Sequence, residues 1–265
     1  MEITAAIVCS SDLRISTCLK SIPEDTKILV ILNNPSTQVI NIVDTDNRIN
    51  CIRCDESNLG KLRQLAVENI NTPGILFIDS DCEINKDTMQ IVSKELDVYP
   101  AVSIPLRFKG IDFFTRIVSK CREFTTPADA LFIPSAFRIN IQDRIGGYLY
   151  DKRLNWGEDT DPKKRLLENG LLFIISNSTI WHDSLSIFQD MKSAIRLGRG
   201  RYIRVINDLA QKRKLIQDLS LIREIKLSNK CLKISGFWAA IYHFFVWRPS
   251  YKFGYWREVL FHGKG

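Results

Sequence analysis

The sequence predicts an α/β protein with a mainly parallel, doubly wound sheet, and three observations lead to this prediction. Four apolar strand-like segments are interspersed with helical segments before Pro100. The fourth strand-like segment, Ile75–Ile78, is followed at once by Asp79 and Asp81. From Ile187 onward the pattern is typical of helices alone. We therefore expect a Rossmann-like sheet with helices on both faces, followed by a helical extension.

The elements before Pro100 are predicted from apolar runs and from the polar residues between them. Ser10-Ser11-Asp12 favours the start of the first helix, because short polar side chains accept hydrogen bonds from helix N–H groups. The predicted strands are Ile3–Cys9, Lys27–Leu32, Ile49–Cys54 and Ile75–Ile78, and the predicted helices are Leu13–Ile22, Asn58–Ile70 and Lys86–Val98.

The pattern is less regular after Pro100. Gly146-Gly147 indicates a tight turn, and Gly170 is expected to end a helix. The predicted strands are Ala101–Phe108, Ala128–Ile133 and Leu171–Ser176, and the predicted helices are Asp112–Phe124 and Lys163–Asn169.

Length and charge together suggest one large domain with an appendage. The 265 residues suffice for a domain of residues 1–204 and a basic, aromatic-rich extension of residues 205–265. Residues 190–265 carry 16 Lys and Arg against 5 Asp and Glu, whereas the remaining residues carry 21 and 25. The excess of positive charge in residues 190–265 suggests a negatively charged partner, either anionic lipid or nucleic acid. Because a nucleic-acid reader motif is absent from the sequence, we expect no nucleic acid.

The cysteines and the hydropathy pattern indicate a cytoplasmic protein. The seven cysteines are scattered, and the Cys51/Cys54 pair has no second pair or His partner at zinc spacing. The first residues lack the pattern of a signal peptide, and no uncharged apolar run reaches membrane-spanning length. We expect reduced thiols.

Two aspartates follow the fourth predicted strand, with one residue between them. At the end of a parallel strand, Asp79 and Asp81 can turn toward one point, and unpaired they would repel each other. A divalent cation removes this repulsion, and hard oxygen ligands suit Mg²⁺ or Mn²⁺, which in turn hold a diphosphate. The alternative is an acidic turn without a ligand.

Several further motifs occur in a fixed order around this pair. They are Ser10-Ser11-Asp12, Asn33, Asn58-x-Gly60-Lys61-x-Arg63, Asp79-Ser80-Asp81, Gly146-Gly147-Tyr148, Gly157-Glu158-Asp159-x-Asp161 with Arg165, and His182. With these motifs in this order, the sequence resembles glycosyltransferase family 2 over roughly Ile3–Arg204. Members of that family use nucleotide sugars and have the GT-A fold.

The resemblance implies the catalytic residues. Asp159 matches the base of inverting members, which takes the proton of the acceptor hydroxyl. Glu158 would orient the acceptor or tune Asp159, because adjacent carboxylates raise each other's pKa. Without the other motifs, these acids would be explained by the dipole of the following helix.

The resemblance also implies the binding residues. Asp79, Asp81 and His182 would hold Mn²⁺ or Mg²⁺, although His182 has the alternative of packing beside Trp181. Trp156 and Gly147 would contact the acceptor, and Trp156 has core packing as its alternative. The residues that would bind the nucleotide sugar are Ser10, Asp12, Asn33, Gly60, Lys61, Arg63, Asp79, Ser80, Asp81, Arg199 and Arg201.

Some of these residues have competing interpretations. Ser10 and Asp12 are equally explained by helix capping, and Lys61 and Arg63 by a solvated helix face. Asn33 stands where many family members have an Asp that reads the base. Gly198-Arg199-Gly200-Arg201 is predicted to be a flexible basic loop that closes over the diphosphate. The alternative is that it belongs to the basic tail.

The partners implied are a UDP- or GDP-sugar and a glycan or lipid-linked acceptor. The basic helices and Trp, Tyr and Phe residues of the extension indicate peripheral contact with the inner face of the cell membrane. The alternative is that these helices pack on the catalytic domain or on a second subunit. Three other functions compete with this interpretation: a HAD-like phosphatase or a nucleotidyltransferase using Asp79 and Asp81, and a non-catalytic binding module for a sugar nucleotide or membrane surface.

Overall fold

The structure is a computed structural model that describes residues 1–125, 133–155, 157–206 and 221–262. Its residues form two compact units, Met1–Arg107 with Ala128–Asp183, and Phe108–Pro127 with Ser184–Gly265. The division at residue 204 stays a prediction. The strand predicted over Ala128–Ile133 lies, apart from its last residue, outside the described residues.

A seven-stranded sheet lies at the centre of the first unit. Its strands are β1 (Ile3–Cys9), β2 (Lys27–Asn33), β3 (Ile49–Cys54), β4 (Gly74–Phe77), β6 (Ala101–Ser103), β8 (Ala136–Arg138) and β9 (Ile174–Ile175), in the order β3-β2-β1-β4-β8-β6-β9. The first four strands are parallel, and β8 runs antiparallel to both β4 and β6. The predicted mixed, mainly parallel sheet is confirmed.

A small second sheet and five helices complete the first unit. The sheet contains β5 (Cys82–Ile84), β7 (Leu106–Phe108) and β10 (Ile180–His182) in the order β5-β10-β7. The helices are α1 (Ile15–Ser21), α2 (Thr37–Asp44), α3 (Leu59–Glu68), α4 (Thr88–Val98) and α6 (Thr160–Glu168), and a 3₁₀ helix spans Ile139–Arg144.

The sheet buries apolar side chains on both faces, as a parallel sheet between helices requires. Ile28 and Val30 of β2 belong to the core on one face, and Leu29 and Ile31 belong to the core on the other. Because successive side chains of a strand point to opposite faces, a continuous apolar run is the sequence pattern of such a strand.

The second unit is helical in its described residues. It contains α5 (Phe113–Thr125), α7 (Ile187–Ile206), α8 (Leu221–Ser235), α9 (Phe237–Tyr242) and α10 (Arg248–His262), with a π-helical turn at His243–Trp247. Its core includes Val118, Cys121, Ala194, Cys231 and Tyr242. Among the described residues, no helix is both long enough and apolar enough to cross a bilayer.

Several predicted boundaries are wrong for identifiable local reasons. The first helix begins at Ile15, and Arg14 occupies its N-cap position without a side-chain cap bond. Asp12 does not cap this helix, because its carboxylate accepts from the backbone N–H and the guanidinium of Arg14. The strand predicted over Leu171–Ser176 shortens to Ile174–Ile175.

The predicted basic loop around Arg199 is wrong, because Gly198-Arg199-Gly200-Arg201 lies inside α7. A Cβ atom at Gly198 would overlap the carbonyl of Tyr251 in α10, and one at Gly254 would overlap the carbonyl of Ile195 in α7. These glycines therefore allow two helices to pack closely. The guanidinium of Arg199 is paired with Glu258.

Gly60 has a packing requirement of the same kind in the first unit. Its N–H donates to the carbonyl of Leu154 at 3.1 Å. A Cβ atom at Gly60 would overlap the carbonyl oxygens of Asp151 and Leu154. The absence of a side chain lets the start of α3 lie against the 151–154 loop.

Gly60→Ala is expected to lower the free energy of unfolding by about 2 kcal/mol, since the backbone must shift to accept the methyl group. Chemical denaturation would measure this change. Lys61→Ala is the control, because it removes only the exposed ion pair with Glu56 at 2.9 Å. Equal, small losses in both variants would contradict the packing role of Gly60.

Candidate active site

His182 reaches the Asp79–Asp81 turn through strand pairing. Strand β10 runs antiparallel to β5 with His182 opposite Cys82, and the N–H of Asp183 donates to the carbonyl of Asp81 at 2.9 Å. The Nε2 atom of His182 then lies 3.1 Å from Oδ2 of Asp81. Two residues that are far apart in the sequence thus form one close pair just beyond the end of β4.

The Asp81–His182 pair stabilises the charged form of each partner. Burial acts to lower the pKa of His182, but the hydrogen bond and charge of Asp81 outweigh it and raise that pKa. Burial acts to raise the pKa of Asp81, but His182 and Arg14 outweigh it and lower that pKa. The Nδ1 atom of His182 lies 2.7 Å from the carbonyl oxygen of Asp183, which fixes the orientation of the ring.

Arg14 is a site residue that the sequence analysis missed. Its Nη2 atom lies 2.6 Å from Oδ2 of Asp12 and 3.2 Å from Oδ2 of Asp81. Its Nη1 atom is buried and has no hydrogen-bond partner in the part of the chain that the structure describes. The available signal was a cation two residues after Asp12, in the loop that follows β1.

The acidic turn offers a donor set that fits a divalent cation. Ligand atoms of Asp79, Asp81 and Cys82 all lie within 4.8 Å of one another. Burial and then the charges of Asp79 and Asp81 raise the pKa of the Cys82 thiol, so the thiol stays protonated and is a weak ligand. Two carboxylates with the adjacent imidazole of His182 suit Mg²⁺ or Mn²⁺.

Arg63 connects this turn with the second pair of acids. From α3 its guanidinium reaches Asp79 (Nη2 to Oδ1, 3.4 Å) and Glu158 (Nε to Oε1, 3.9 Å). The aromatic rings of Phe77 and Tyr150 lie 5.7 and 5.6 Å from it. Burial acts to lower the pKa of Arg63, and Tyr150, Asp79 and Glu158 more than offset this effect and raise it. Arg63 is therefore not on a solvated helix face.

Glu158 and Asp159 occupy different environments despite being adjacent. Glu158 is only 5% exposed, and burial, with smaller contributions from Asp159 and Asp79, raises its pKa although Arg63 opposes the shift. Asp159 is half-buried at the N-cap position of α6, and its side chain makes no cap bond within the described residues. Capping therefore does not account for the Asp159 carboxylate.

One acid of each pair, Asp79 and Asp159, lines a cavity of about 140 Å³. Asp79, Asp159 and Arg63 line its polar side, and Ile104, Leu106 and Ile180 belong to its apolar side. The structure thus places Asp79 and Asp159, which are far apart in the sequence, on the lining of one cavity.

Arg165 positions the loop that carries Gly147. Its Nη1 atom donates to the carbonyl oxygens of Ile145 at 2.7 Å and Tyr148 at 2.8 Å, and it pairs with Asp161 at 2.7 Å. Gly147 has a φ of +84°, a conformation that glycine adopts without strain. Asp161 is therefore an anchor for Arg165 within α6.

The expected base-binding edge contains an acid that the sequence analysis did not select. Asn33 is the last residue of β2. The Nδ2 atom of the next residue, Asn34, lies 3.3 Å from Oδ1 of Asn33 and 2.6 Å from Oδ1 of Asp55. Asp55 directly follows β3, which lies beside β2 in the sheet. Its position at a strand end was the signal that could have found it.

The other predicted residues have mixed positions. Ser10 is exposed directly after β1. Burial raises the pKa of the Cys9 thiol, and Ser80 opposes this effect. Trp156 lies outside the described residues, and the side chain of Arg201 is likewise not described. Arg199 belongs to the second unit.

The chain is similar in structure to S. aureus TarS. TarS 1–349 matches with a TM-score of 0.55 and 13% identity over 100% of this chain and 92% of that chain. TarS 1–349 in complex with UDP-GlcNAc matches with a TM-score of 0.56 and 13% identity over 99% of this chain and 92% of that chain. A longer TarS structure matches with a TM-score of 0.54 and 14% identity over 96% of this chain, which spans 54% of that chain.

These matches show a GT-A-like fold, which agrees with the expected fold class. No protein-family model and no curated protein sequence matches the chain.

Glu158→Gln is expected to be more stable than the wild type at neutral pH, because it removes a carboxyl whose pKa burial raises. A raised carboxyl pKa means that the folded state loses stability as the pH rises from the ordinary glutamate value through the folded value. The advantage should therefore shrink as the pH falls from about 8 to about 4. Thermal unfolding over this range measures it.

Glu168→Gln is the matched control, because Glu168 is exposed at the end of the same helix. An advantage of the Glu158 variant that grows on acidification, or that the control shares, would contradict the assignment.

Proposed function

We propose that the chain is a metal-dependent glycosyltransferase of the family 2 type, which moves a sugar from a nucleotide-diphosphate donor to an acceptor hydroxyl. The observation that carries this proposal is the single cavity lined by Asp79 and Asp159, with Arg63 between the two acid pairs. The GT-A-like fold and the TarS complexes with UDP-GlcNAc and with UDP support a nucleotide-sugar donor.

Asp79, Asp81 and His182 would hold Mn²⁺ or Mg²⁺. When bound, the cation would neutralise the charge that develops on the departing diphosphate. Burial acts to raise the pKa of Asp81, but His182 and then Arg14 lower it, which favours the ionised form that a metal ligand needs. Because the pKa of His182 is raised, a cation would compete with a proton for its imidazole. The unpartnered Nη1 atom of Arg14 supports a contact between this guanidinium and an anionic donor.

Asp159 would act as the general base. It takes the proton of the acceptor hydroxyl while the acceptor oxygen forms a bond to the anomeric carbon. The bond from that carbon to the diphosphate oxygen breaks on the opposite face, so the nucleoside diphosphate leaves and the configuration inverts. Glu158, which retains its proton more readily than an exposed glutamate, would donate a hydrogen bond that orients the acceptor.

The donor is proposed to be a UDP- or GDP-sugar, with Asn33 and the neighbouring Asp55 facing the base and Ser10, Asp12, Lys61 and Ser80 along the nucleotide. The acceptor is proposed to be a glycan or lipid-linked glycan near Gly147 and Trp156. Because α7 is helical at Arg199 and Arg201, any diphosphate contact by these arginines would come from a helix. Peripheral membrane contact at the cytoplasmic face is part of the proposal.

Asp81→Asn is expected to lose the metal-dependent part of donor binding, because a neutral amide replaces a charged ligand. The measurement is the shift in unfolding temperature caused by UDP-, GDP- and dTDP-sugars with and without Mn²⁺. Asp143→Asn, which changes an exposed aspartate, is the control. A metal-dependent shift that survives in the Asp81 variant would refute the metal site.

Asp159→Asn is expected to bind the donor as the wild type does but to lower the transfer rate by about 100-fold or more, because the proton acceptor is lost. Product formation with the donor identified by thermal shift, together with donor affinity, separates chemistry from binding. Normal transfer by this variant would show that another group is the base.

A further inference from the structure

Four large aromatic side chains of the second unit are exposed. Phe113 and Phe114 begin α5, and Phe237 and Trp238 begin α9. They are 55%, 61%, 60% and 55% exposed, respectively. Together they define the aromatic patch.

The rings of the aromatic patch contact one another. Phe113 lies 5.5 Å from Phe114 and 5.9 Å from Trp238, and Phe237 lies 5.3 Å from Trp238, in edge-to-face geometry. Exposed Ile111 and Ile234 precede the two aromatic pairs in the sequence. A contiguous exposed apolar surface of this kind marks a binding site.

The local structure holds the patch outward. The Asp112 carboxylate accepts from the N–H of Thr115 at 2.8 Å and so caps α5. Gly236, with a φ of +89°, separates α8 from α9, and Ala239 and Ala240 bury the opposite side of α9. The aromatic residues are therefore exposed because the helix register directs small side chains to the core.

Basic residues flank the patch. Arg116 and Lys120 are exposed on α5, three and seven residues after Phe113, and so continue its helical face. On α8, the helix that precedes Phe237 and Trp238, Lys226, Lys230 and Lys233 are exposed, and their spacing places them on one helix face. Asp112, the acid directly before Phe113, is engaged in capping α5.

We propose that this surface docks on an anionic lipid bilayer. Trp and Phe prefer the headgroup level of a membrane, and exposed Lys and Arg are attracted to anionic headgroups. An aromatic insertion combined with a basic patch provides the two signals that stable peripheral binding requires. The surface includes Phe113 and Phe114, which lie outside the basic C-terminal extension. The inference rests on the peripheral membrane contact of the proposed function and deepens it by naming the surface and the lipid charge, but it does not depend on the transfer reaction, because bilayer binding needs neither donor nor metal.

The test is co-sedimentation of the full-length protein with phosphatidylcholine vesicles with and without phosphatidylglycerol, at low and high salt. We expect binding to the anionic vesicles that weakens with salt. The triple serine variant Phe114→Ser, Phe237→Ser and Trp238→Ser should weaken binding about tenfold or more, and so should the separate triple variant Lys226→Glu, Lys230→Glu and Lys233→Glu. The control variant Val98→Ser and Leu172→Ser, which changes side chains that are 70% and 72% exposed in the first unit, should leave binding unchanged.

Trp238→Phe keeps the aromatic surface, so this variant still tests the proposal if the triple serine variant does not fold. It should bind anionic vesicles as the wild type does but lose most of the blue shift in tryptophan fluorescence that binding causes. The proposal is overturned if the folded serine variant binds normally or if the blue shift persists in Trp238→Phe. Binding that is equal with and without phosphatidylglycerol, or a patch that instead mediates self-association in light scattering, would also overturn it. Donor thermal shifts measured in parallel test the proposed transferase separately.

Discussion

The site depends on positive charges that offset two pairs of carboxylates, and one acid of each pair, Asp79 and Asp159, lines the same cavity. Asp79 and Asp81 leave β4, and Glu158 and Asp159 precede α6. Arg63 lies between the two pairs, whereas Arg14 and His182 neutralise Asp81. Without these cations the carboxylates would repel one another and the buried Glu158 would be costly to ionise. A divalent cation, bound as proposed, would therefore join an arrangement whose charges are already partly neutralised.

The parallel half of the fold was predictable because its signals are local. Apolar runs such as Lys27–Leu32 and polar residues at their ends are visible within short windows of sequence. The Asp79–Asp81 turn was predictable for the same reason, since it directly follows such a run. The insertion of β8 between β4 and β6 was not predictable, because antiparallel pairing of distant segments leaves no periodic signal of its own.

The same limit applies within the site. The family resemblance suggested His182 near Asp81, but the contact exists because β10 pairs with β5. Arg63 was expected either at the nucleotide or in solvent, and the structure places it between Asp79 and Glu158. The glycines near Arg199 were interpreted as a loop, although Gly198 serves close helix packing. The sequence alone does not distinguish a glycine in a flexible loop from a glycine that allows two helices to pack closely, because the difference depends on the neighbouring backbone.

The most direct test of the account is the location of manganese in crystals grown with UDP and Mn²⁺. Anomalous scattering from manganese identifies the ion without reference to its ligands. The account predicts a peak bound by the carboxylates of Asp79 and Asp81, with the bond between Asp81 and His182 replaced by coordination. A structure with UDP bound, no anomalous peak at these residues, and Asp81 still paired with Arg14 and His182 would contradict it.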